Sequence, residues 1–202
     1  MKISAETLNA DQAYRLLVGA IVPRPIAWVT TLSASGHVNA APFSAFTFVS
    51  NKPPMVCVSI GRKSGVLKDT AANIARSREF VVNIGTFDQL DQLHGTAHEY
   101  PDNVSEVLDL GIEVAECERV SVPRIAGVPV ALECRLHDCL EFGDARTGLH
   151  VGEVLAFHID DRVMIDGKID SGLLAPIARL CGPLYSKLAE PVLKRTLTVT
   201  PK

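Results

Sequence analysis

The segment Pro23–Thr31 reads Pro-Arg-Pro-Ile-Ala-Trp-Val-Thr-Thr, and it gives two kinds of information about the backbone. The two prolines fix φ at about −65° on either side of Arg24, so the chain enters this segment in a rigid conformation. Four apolar residues follow, and two threonines close the run. Because β-branched and aromatic residues favour strands, we predict a buried strand over Ile26–Leu32 that begins at the prolines and ends in two hydroxyl groups.

Five further runs of the same character lie along the chain, and turn residues separate most of them. Ser33–Gly36 follows the first run and predicts a tight hairpin in which Gly36 takes a positive φ. Such a pattern is typical of antiparallel sheets, and we favour a closed barrel over a sandwich. We therefore predict a mainly β fold, as a single domain over residues 1–202. The predicted strands are Ile26–Leu32, His37–Pro42, Met55–Ile60, Phe80–Ile84, Val130–Leu140 and Val151–Ile159.

Helical patterns are few, and they lie between the strands. The segment Asp69–Arg76 predicts two turns of helix, with its first two residues as the N-terminal cap. Apolar residues at helical spacing predict a second helix over Phe87–Leu93 and a third over Val104–Leu110, which Gly111 ends. We therefore expect short helices at the margins of the barrel.

The composition limits the location and the partners of the protein. Its 202 residues are 47% hydrophobic, and the net charge of −3 lacks the basic excess of a nucleic-acid-binding protein. The longest apolar stretch, Leu16–Val29, is broken by prolines and an arginine, whereas a membrane helix needs about 20 apolar residues. Five cysteines without a zinc-site or disulfide spacing favour free thiols. We expect a cytoplasmic protein with neither nucleic acid nor membrane as a partner.

Several common catalytic and cofactor motifs are absent from the sequence. It contains no GxGxxG after a strand, no GxxxxGK[ST], no GxSxG and no HExxH. His94 and His98 could share a helix face, but no third ligand accompanies them, so we predict no metal site. If the chain is an enzyme, we expect it to hold a cofactor on a β scaffold.

The segment Ser59–Thr70 combines three features of a phosphate site. Two glycines let backbone amides approach a ligand closely, and Arg62 or Lys68 supplies positive charge. Thr70 lies at the start of a predicted helix, whose unpaired N–H groups favour an anion. The alternative interpretation is a solvated basic loop, which the spacing alone does not exclude.

The segment Asn39–Phe48 interleaves small residues with aromatic ones. Small residues would let a flat ligand lie against the backbone, and the hydroxyls of Ser44 and Thr47 could bind its polar edges. The alternative is a strand that bends at Pro42 and packs a row of phenylalanines into the core. The pattern leaves both interpretations open.

Taken in order, these segments resemble the flavin reductase-like family of FMN-binding split-barrel proteins. Within it, the chain is similar to the subgroup of flavoredoxins and of the reductase components of two-component monooxygenases. The resemblance covers roughly residues 10–188 and is specific in the order and spacing of its motifs. These motifs are PRPIAWVTT, a glycine hairpin, NAAPFSAF, KPPMVCVSI, KDTAANI, EFVVNI, PVALEC, VGEV and PIARLCGPLY.

The resemblance implies a Greek-key split β-barrel with peripheral short helices, which forms a homodimer and binds FMN, or less commonly FAD, near the dimer interface. NAD(P)H would be a transient co-substrate, and a monooxygenase component a further partner. The chemistry would take place on the flavin, so no side chain is expected to be catalytic. Carried over position by position, the cofactor-binding residues would be Thr30, Thr31, Phe43, Ser44, Ala45, Ser59, Ile60, Arg62, Lys68, Asp69 and Thr70.

Two positions depart from the family pattern. Gly143 and Asp144 are followed by Ala145, where many family reductases have a histidine associated with nicotinamide binding, and His150 lies nearby. Cys181 stands where a second glycine is usual. We expect an NAD(P)H-dependent flavin reductase. The alternatives are a flavoredoxin-like electron carrier without nicotinamide turnover and a split barrel with a different ligand.

Overall fold

The computed structural model describes residues 1–98, 100 and 104–194. The helices in this part are α1 (Ala10–Ala20), α2 (Asp69–Ser77), α3 (Leu90–Gly95), α4 (Glu106–Asp109) and α5 (Ser171–Leu174), with short 3₁₀ helices at Ala5–Thr7, Phe87–Gln89 and Asp161–Val163. The strands are β1 (Arg24–Pro25), β2 (Ala27–Leu32), β3 (Val38–Phe43), β4 (Phe46–Asn51), β5 (Pro54–Ile60), β6 (Arg62–Lys63), β7 (Val66–Leu67), β8 (Glu79–Ile84), β9 (Val114–Ala115), β10 (Arg124–Ile125), β11 (Val130–Phe142), β12 (Thr147–Ile159), β13 (Met164–Ile165), β14 (Lys168–Ile169), β15 (Ala178–Arg179) and β16 (Tyr185–Ser186).

Seven strands form one antiparallel sheet in the order β3-β2-β8-β11-β12-β5-β4. Phe43 at one edge of this sheet and Phe46 at the other pack against the same buried cluster, to which β2, β5, β8, β11 and β12 all contribute. Because both edges reach one core, the sheet curls into a barrel, and the mainly β prediction is confirmed. All six predicted strands are present, with ends that differ by a few residues.

Strand β2 is buried on both faces, and its outer face holds the α3 segment at the margin of the barrel. Ala27 and Val29 point into the barrel core, whereas Trp28 packs with Leu93 of α3 in a second buried cluster outside it. The Trp28 indole N–H donates a hydrogen bond to the Thr96 hydroxyl at 2.9 Å. The segment that carries α3 is therefore held against the outer face of β2.

Helix α1 and strand β4 are the two longest elements that the sequence patterns did not predict. No residue of α1 is buried, and its large apolar side chains Tyr14, Leu16 and Leu17 are exposed. Its start is nonetheless marked by a reciprocal pair of hydrogen bonds, in which Gln12 N donates to Asn9 Oδ1 and Asn9 N donates to Gln12 Oε1.

Among the described residues, no helix is long and apolar enough to cross a membrane.

The Pro-Arg-Pro segment joins α1 to the barrel through Arg24. Strand β1 pairs with β15, so Arg24 lies opposite Arg179. One terminal nitrogen of the Arg24 guanidinium donates to the carbonyls of Val18 and Ile21 at 2.7 and 2.6 Å, and the other donates to the Leu180 carbonyl at 2.9 Å. A cation at the C-terminal end of a helix is favourable, so Arg24 stabilises the contact between α1 and the C-terminal strands.

Candidate functional site

A cavity of about 890 Å³ lies between β3, the β6–β7 hairpin, the start of α2 and the C-terminal strands. Its size falls within the range of about 300–1,000 Å³ that is usual for ligand pockets. Segments far apart in the chain supply its polar lining, which includes Arg24, Asn39, Ser44, Lys63, Lys68, Asp69, Thr70, Glu106, Arg179 and Tyr185. The fold thus brings five of the expected cofactor-binding residues to one place, namely Phe43, Ser44, Lys68, Asp69 and Thr70.

One end of the cavity is formed by the β6–β7 hairpin and the first turn of α2. Ser64 and Gly65 make the hairpin turn with φ values of 47° and 81°, which glycine adopts easily. The two lysines at this end, Lys63 and Lys68, line the cavity. Unpaired N–H groups of a helix start together with two cations form an environment that favours an anion.

The prediction that Asp69 and Thr70 cap helix α2 is wrong in detail. The N-cap residue is Lys68, and its side chain makes no capping hydrogen bond. Thr70 is already inside the helix, buried, and its hydroxyl donates to Asn39 Oδ1 at 3.1 Å. Its role is therefore to join α2 to β3 at the cavity wall.

Asn39 is the centre of a hydrogen-bond network beneath the cavity. Its Oδ1 also accepts a hydrogen bond from the Thr31 hydroxyl at 3.2 Å, and Thr31 in turn accepts one from Asn73 of α2 at 3.1 Å. The Asn39 amide group donates to Glu106 Oε1 at 2.6 Å. Thr31 is fully buried, so it reaches the site only through this network.

The wall contributed by β3 carries Phe43 and Ser44. Both line the cavity, and the Ser44 hydroxyl accepts a hydrogen bond from Arg24 Nε at 3.3 Å. Phe43 also packs against the barrel core. The packing of Phe43 and Phe46 agrees with the core interpretation, but Phe48 is 76% exposed. Thr47 does not line the cavity, and a flat ligand against this segment stays a prediction.

The rim of the cavity near the C-terminus contains a polar group that the sequence patterns did not single out. The Arg179 guanidinium lies 4.4 Å from the centre of the Tyr185 ring and also donates to the Tyr185 hydroxyl. The same hydroxyl is 2.9 Å from His94 Nδ1. Burial raises the pKa of Tyr185, and the charge of Arg179 opposes that rise. This cluster offers a cation and a hydroxyl donor to a ligand.

Thr30 and Ile60, two of the expected cofactor-binding residues, belong to the core. Thr30 is fully buried, and its hydroxyl donates to the Pro123 carbonyl at 2.7 Å while accepting from Asn83 at 3.3 Å. Ile60 is 2% exposed and packs inside the barrel. We therefore leave the side chains of both out of the proposed ligand contacts.

Three more of the expected cofactor-binding residues lie beside the cavity rather than in its lining, namely Ala45, Ser59 and Arg62. Arg62 forms an ion pair with Glu141 at 2.5 Å and donates to the carbonyl of Gly65 at 3.2 Å, so it stabilises the base of the β6–β7 hairpin. The Ser59 amide donates to the Ala45 carbonyl at 2.8 Å, which joins the two residues across the β4–β5 pair. None of these three side chains lines the cavity.

The two departures from the family pattern occupy different environments. Gly143–Arg146 forms the turn between β11 and β12, and Ala145 lies within it. His150 is 4% exposed in β12, with Nδ1 3.1 Å from the Gly148 carbonyl, and burial lowers its pKa. His150 does not line the cavity, whereas Cys181 is exposed close to its rim.

A second cluster of ligating side chains lies away from the cavity. Among the described residues, the ligating atoms of Cys117, Glu133 and His158 come within 4.8 Å of one another. The Glu133 carboxylate is fully buried, and it already accepts hydrogen bonds from three backbone amides and from His158 Nε2. Burial, followed by the charge of Glu133, raises the pKa of Cys117 to about 11. These contacts make Glu133 a structural anchor for the loop before β10.

Comparison with known proteins gives three findings. The family model described as flavin reductase like domain matches residues 18–171. The crystal structure of nitrilotriacetate monooxygenase component B from Bacillus cereus is 34% identical, with a TM-score of 0.92 over 96% of this chain and 98% of that one. A split-barrel protein from Shewanella frigidimarina is 18% identical with a TM-score of 0.85 over 98% of this chain and all of that one, which shows the fold alone.

One curated relative carries a name that describes an activity. The reductase component of 4-nitrophenol 4-monooxygenase/4-nitrocatechol 2-monooxygenase from Rhodococcus opacus is 33% identical over 127 residues. That match covers 63% of this chain and 62% of the relative.

Proposed function

The chain belongs to the flavin reductase-like family, and from this membership we propose that it binds FMN in the cavity and passes a hydride from NAD(P)H to that cofactor. The bound flavin would supply the redox chemistry, and reduced flavin or its electrons would then go to a partner. The observation that carries the proposal is the cavity itself. It joins an anion-favouring end at α2 to a wall of small and aromatic residues on β3.

Different parts of the cavity would contact different parts of the ligand. Lys68, Lys63 and the amides at the start of α2 suit a phosphate group, since cations and helix N-termini both favour anions. The β3 segment around Phe43 and Ser44 offers a flat wall for a ring system. FMN has one phosphate and one planar ring system, and we propose it over FAD as the resident cofactor.

Steady-state oxidation of NADH and NADPH tests the activity. With added FMN, we expect oxidation of at least one of the two nucleotides at a rate that saturates with FMN. Riboflavin should support a lower rate at the same concentration, because it lacks the phosphate. Tight FMN binding without nucleotide oxidation would contradict the reductase proposal and favour the flavoredoxin-like carrier. That alternative has an observation in its favour, because Ala145 replaces the expected histidine and His150 is buried outside the cavity.

A homodimer is the assembly that we propose. Phe48 and Phe157 are 76% and 53% exposed, and they line an apolar groove of about 340 Å³ together with residues of the barrel core such as Val56 and Leu132. Large exposed apolar patches often mark protein interfaces. Light scattering should give about twice the chain mass of 21.8 kDa, and a mass equal to one chain at micromolar concentration would contradict the dimer.

The partner and the location remain parts of the proposal. Two similar proteins are named as monooxygenase components, and we therefore propose an oxygenase component as the acceptor of reduced flavin. All five cysteines are free, which suits the reducing cytoplasm predicted from the sequence.

A further inference from the structure

The carboxyl group of Glu106 forms part of the cavity wall, and within the described part of the chain its two oxygens are unequally hydrogen-bonded. Glu106 lies at the start of α4 and is 5% exposed. Oε1 accepts a hydrogen bond from Asn39 at 2.6 Å, whereas the hydrogen bond from the Ala40 amide to Oε2 is longer, at 3.4 Å. Both oxygens of a buried carboxylate normally accept strong hydrogen bonds. Oε2 of Glu106 departs from this pattern, because its bond from the Ala40 amide is long.

Glu133 shows what a satisfied buried carboxylate looks like in the same chain. Its two oxygens accept hydrogen bonds from three amides and from His158, at distances between 2.5 and 3.1 Å. Burial acts to raise the pKa of Glu133, but these bonds lower it overall. Burial raises the pKa of Glu106, and the hydrogen bonds from its own amide, the Ala40 amide and Asn39 do not offset it.

The charges around Glu106 add to this imbalance. Asp69 at the start of α2 is close enough to raise the pKa of Glu106 further. β3 contributes only uncharged groups to the carboxyl group, through Asn39 and Ala40. Among the described residues, the other titratable groups near it are Asp109 on α4 itself, Lys63 and Lys68 on the opposite wall, and His98 and Tyr100 between α3 and α4.

We infer that Glu106 takes up a proton when FMN occupies the cavity, and that the resulting carboxylic acid donates a hydrogen bond to the ligand. The inference rests on the proposed function. A phosphate dianion brought into a cavity that already holds Asp69 and an ionised Glu106 would meet two negative charges. Protonation of Glu106 by solvent removes one charge and turns Oε2, whose hydrogen bond from the Ala40 amide is long, into a donor. No electron transfer is involved in this step.

Calorimetric titration of FMN at neutral pH in two buffers of different ionisation enthalpy measures the proton uptake. For the wild-type protein we expect net uptake. Glu106→Gln should remove it, because the glutamine amide keeps the shape of the neutral acid and supplies an N–H donor in its place. The FMN phosphate titrates with a second pKa of about 6, but it contributes equally to both proteins, so the difference between them isolates Glu106.

The pH dependence of the affinity gives a second measurement. Because the ligand raises the pKa of Glu106 further, the wild-type Kd for FMN should rise as pH increases, by up to tenfold for each pH unit. The Glu106→Gln variant should show a flatter profile, and at pH 8 it should bind FMN at least as tightly as the wild type. Glu113→Gln, the same substitution at an exposed residue outside the lining of the cavity, is the matched control and should behave like the wild type.

Two results would overturn the inference: wild-type binding without proton uptake, and uptake that persists in Glu106→Gln. Asp69→Asn removes a charge that raises the pKa of Glu106, so this variant should take up less of the proton than the wild type. If Glu106→Gln does not fold, the wild type and Asp69→Asn still decide, because uptake that Asp69→Asn leaves unchanged would also overturn the inference. Failure of FMN to bind at any pH would overturn the proposed function together with this inference. FMN binding without proton uptake would overturn this inference and leave the proposed function standing.

Discussion

Glu133→Gln is expected to lower the free energy of unfolding by about 3–5 kcal/mol, the usual loss when one partner of a buried charged network is removed. The amides of Arg119 and Val120 both donate to Oε2, at 2.6 and 3.1 Å. Glutamine has one carbonyl oxygen and one NH2 group, so in either orientation the NH2 group would face backbone donors. The loop before β10 would then lose its anchor to β11.

Chemical denaturation of the wild type and the variant measures this loss, with Glu79→Gln as the matched control. Glu79 also accepts hydrogen bonds from a backbone amide and a hydroxyl, both of Ser121, but at an exposed site. We expect the control to lose no more than about 1 kcal/mol. Equal losses of unfolding free energy in the two variants would contradict a larger contribution from the buried carboxylate of Glu133.

The stability difference between the wild type and Glu133→Gln should depend on pH. The pKa of Glu133 is lowered in the folded protein, so ionised Glu133 stabilises the fold above the ordinary glutamate pKa of about 4.3. As pH falls through the folded pKa, the carboxylate is protonated and its contribution disappears. The difference should therefore be full at neutral pH and shrink below about pH 4.

Lys68→Ala should weaken FMN binding by about 10- to 100-fold, which corresponds to roughly 1.5–3 kcal/mol for a charge-assisted contact. Lys68 is exposed and lines the anion-favouring end of the cavity, so its removal should leave the fold intact. Riboflavin affinity should hardly change, because riboflavin has no phosphate to contact. Added salt should weaken FMN binding more in the wild type than in the variant, because salt screens an exposed charge pair.

The matched control is Lys168→Ala, which removes an exposed lysine from the β13–β14 hairpin, outside the lining of the cavity. The control should bind both flavins as the wild type does. Equal weakening of FMN and riboflavin by Lys68→Ala would place the phosphate elsewhere.

The strands were predictable because their β-branched runs and turn residues are local signals. The orientation of side chains along β2 was not, because this strand is buried on both faces and no polar alternation marks its two sides. Thr30 and Thr31 are neighbours in sequence, but one bonds to the Pro123 carbonyl outside the barrel and the other to the Asn39 network at its end. Only the packing of distant segments distinguishes them.

The cavity could be predicted only in part, because some of its lining comes from local sequence patterns and the rest from contacts between distant segments. The first turn of α2 and the β3 wall are local patterns, and both line the cavity. Arg24 and Glu106 were not predicted, because their partners lie far away in the sequence or depend on the tertiary fold. Glu106, for example, meets Asn39 across 67 residues of chain. Arg62 and Lys68 are equivalent as cations in the sequence, and only the hairpin geometry pairs Arg62 with Glu141.

The central claim is that the cavity binds FMN through its phosphate, and a fluorescence titration of the wild-type protein with FMN and with riboflavin tests it most directly. We expect one FMN per chain and an affinity at least tenfold higher than that for riboflavin, since a charge-assisted contact contributes about 1.5–3 kcal/mol. Equal affinity for the two flavins, or no saturable binding of FMN, would contradict it.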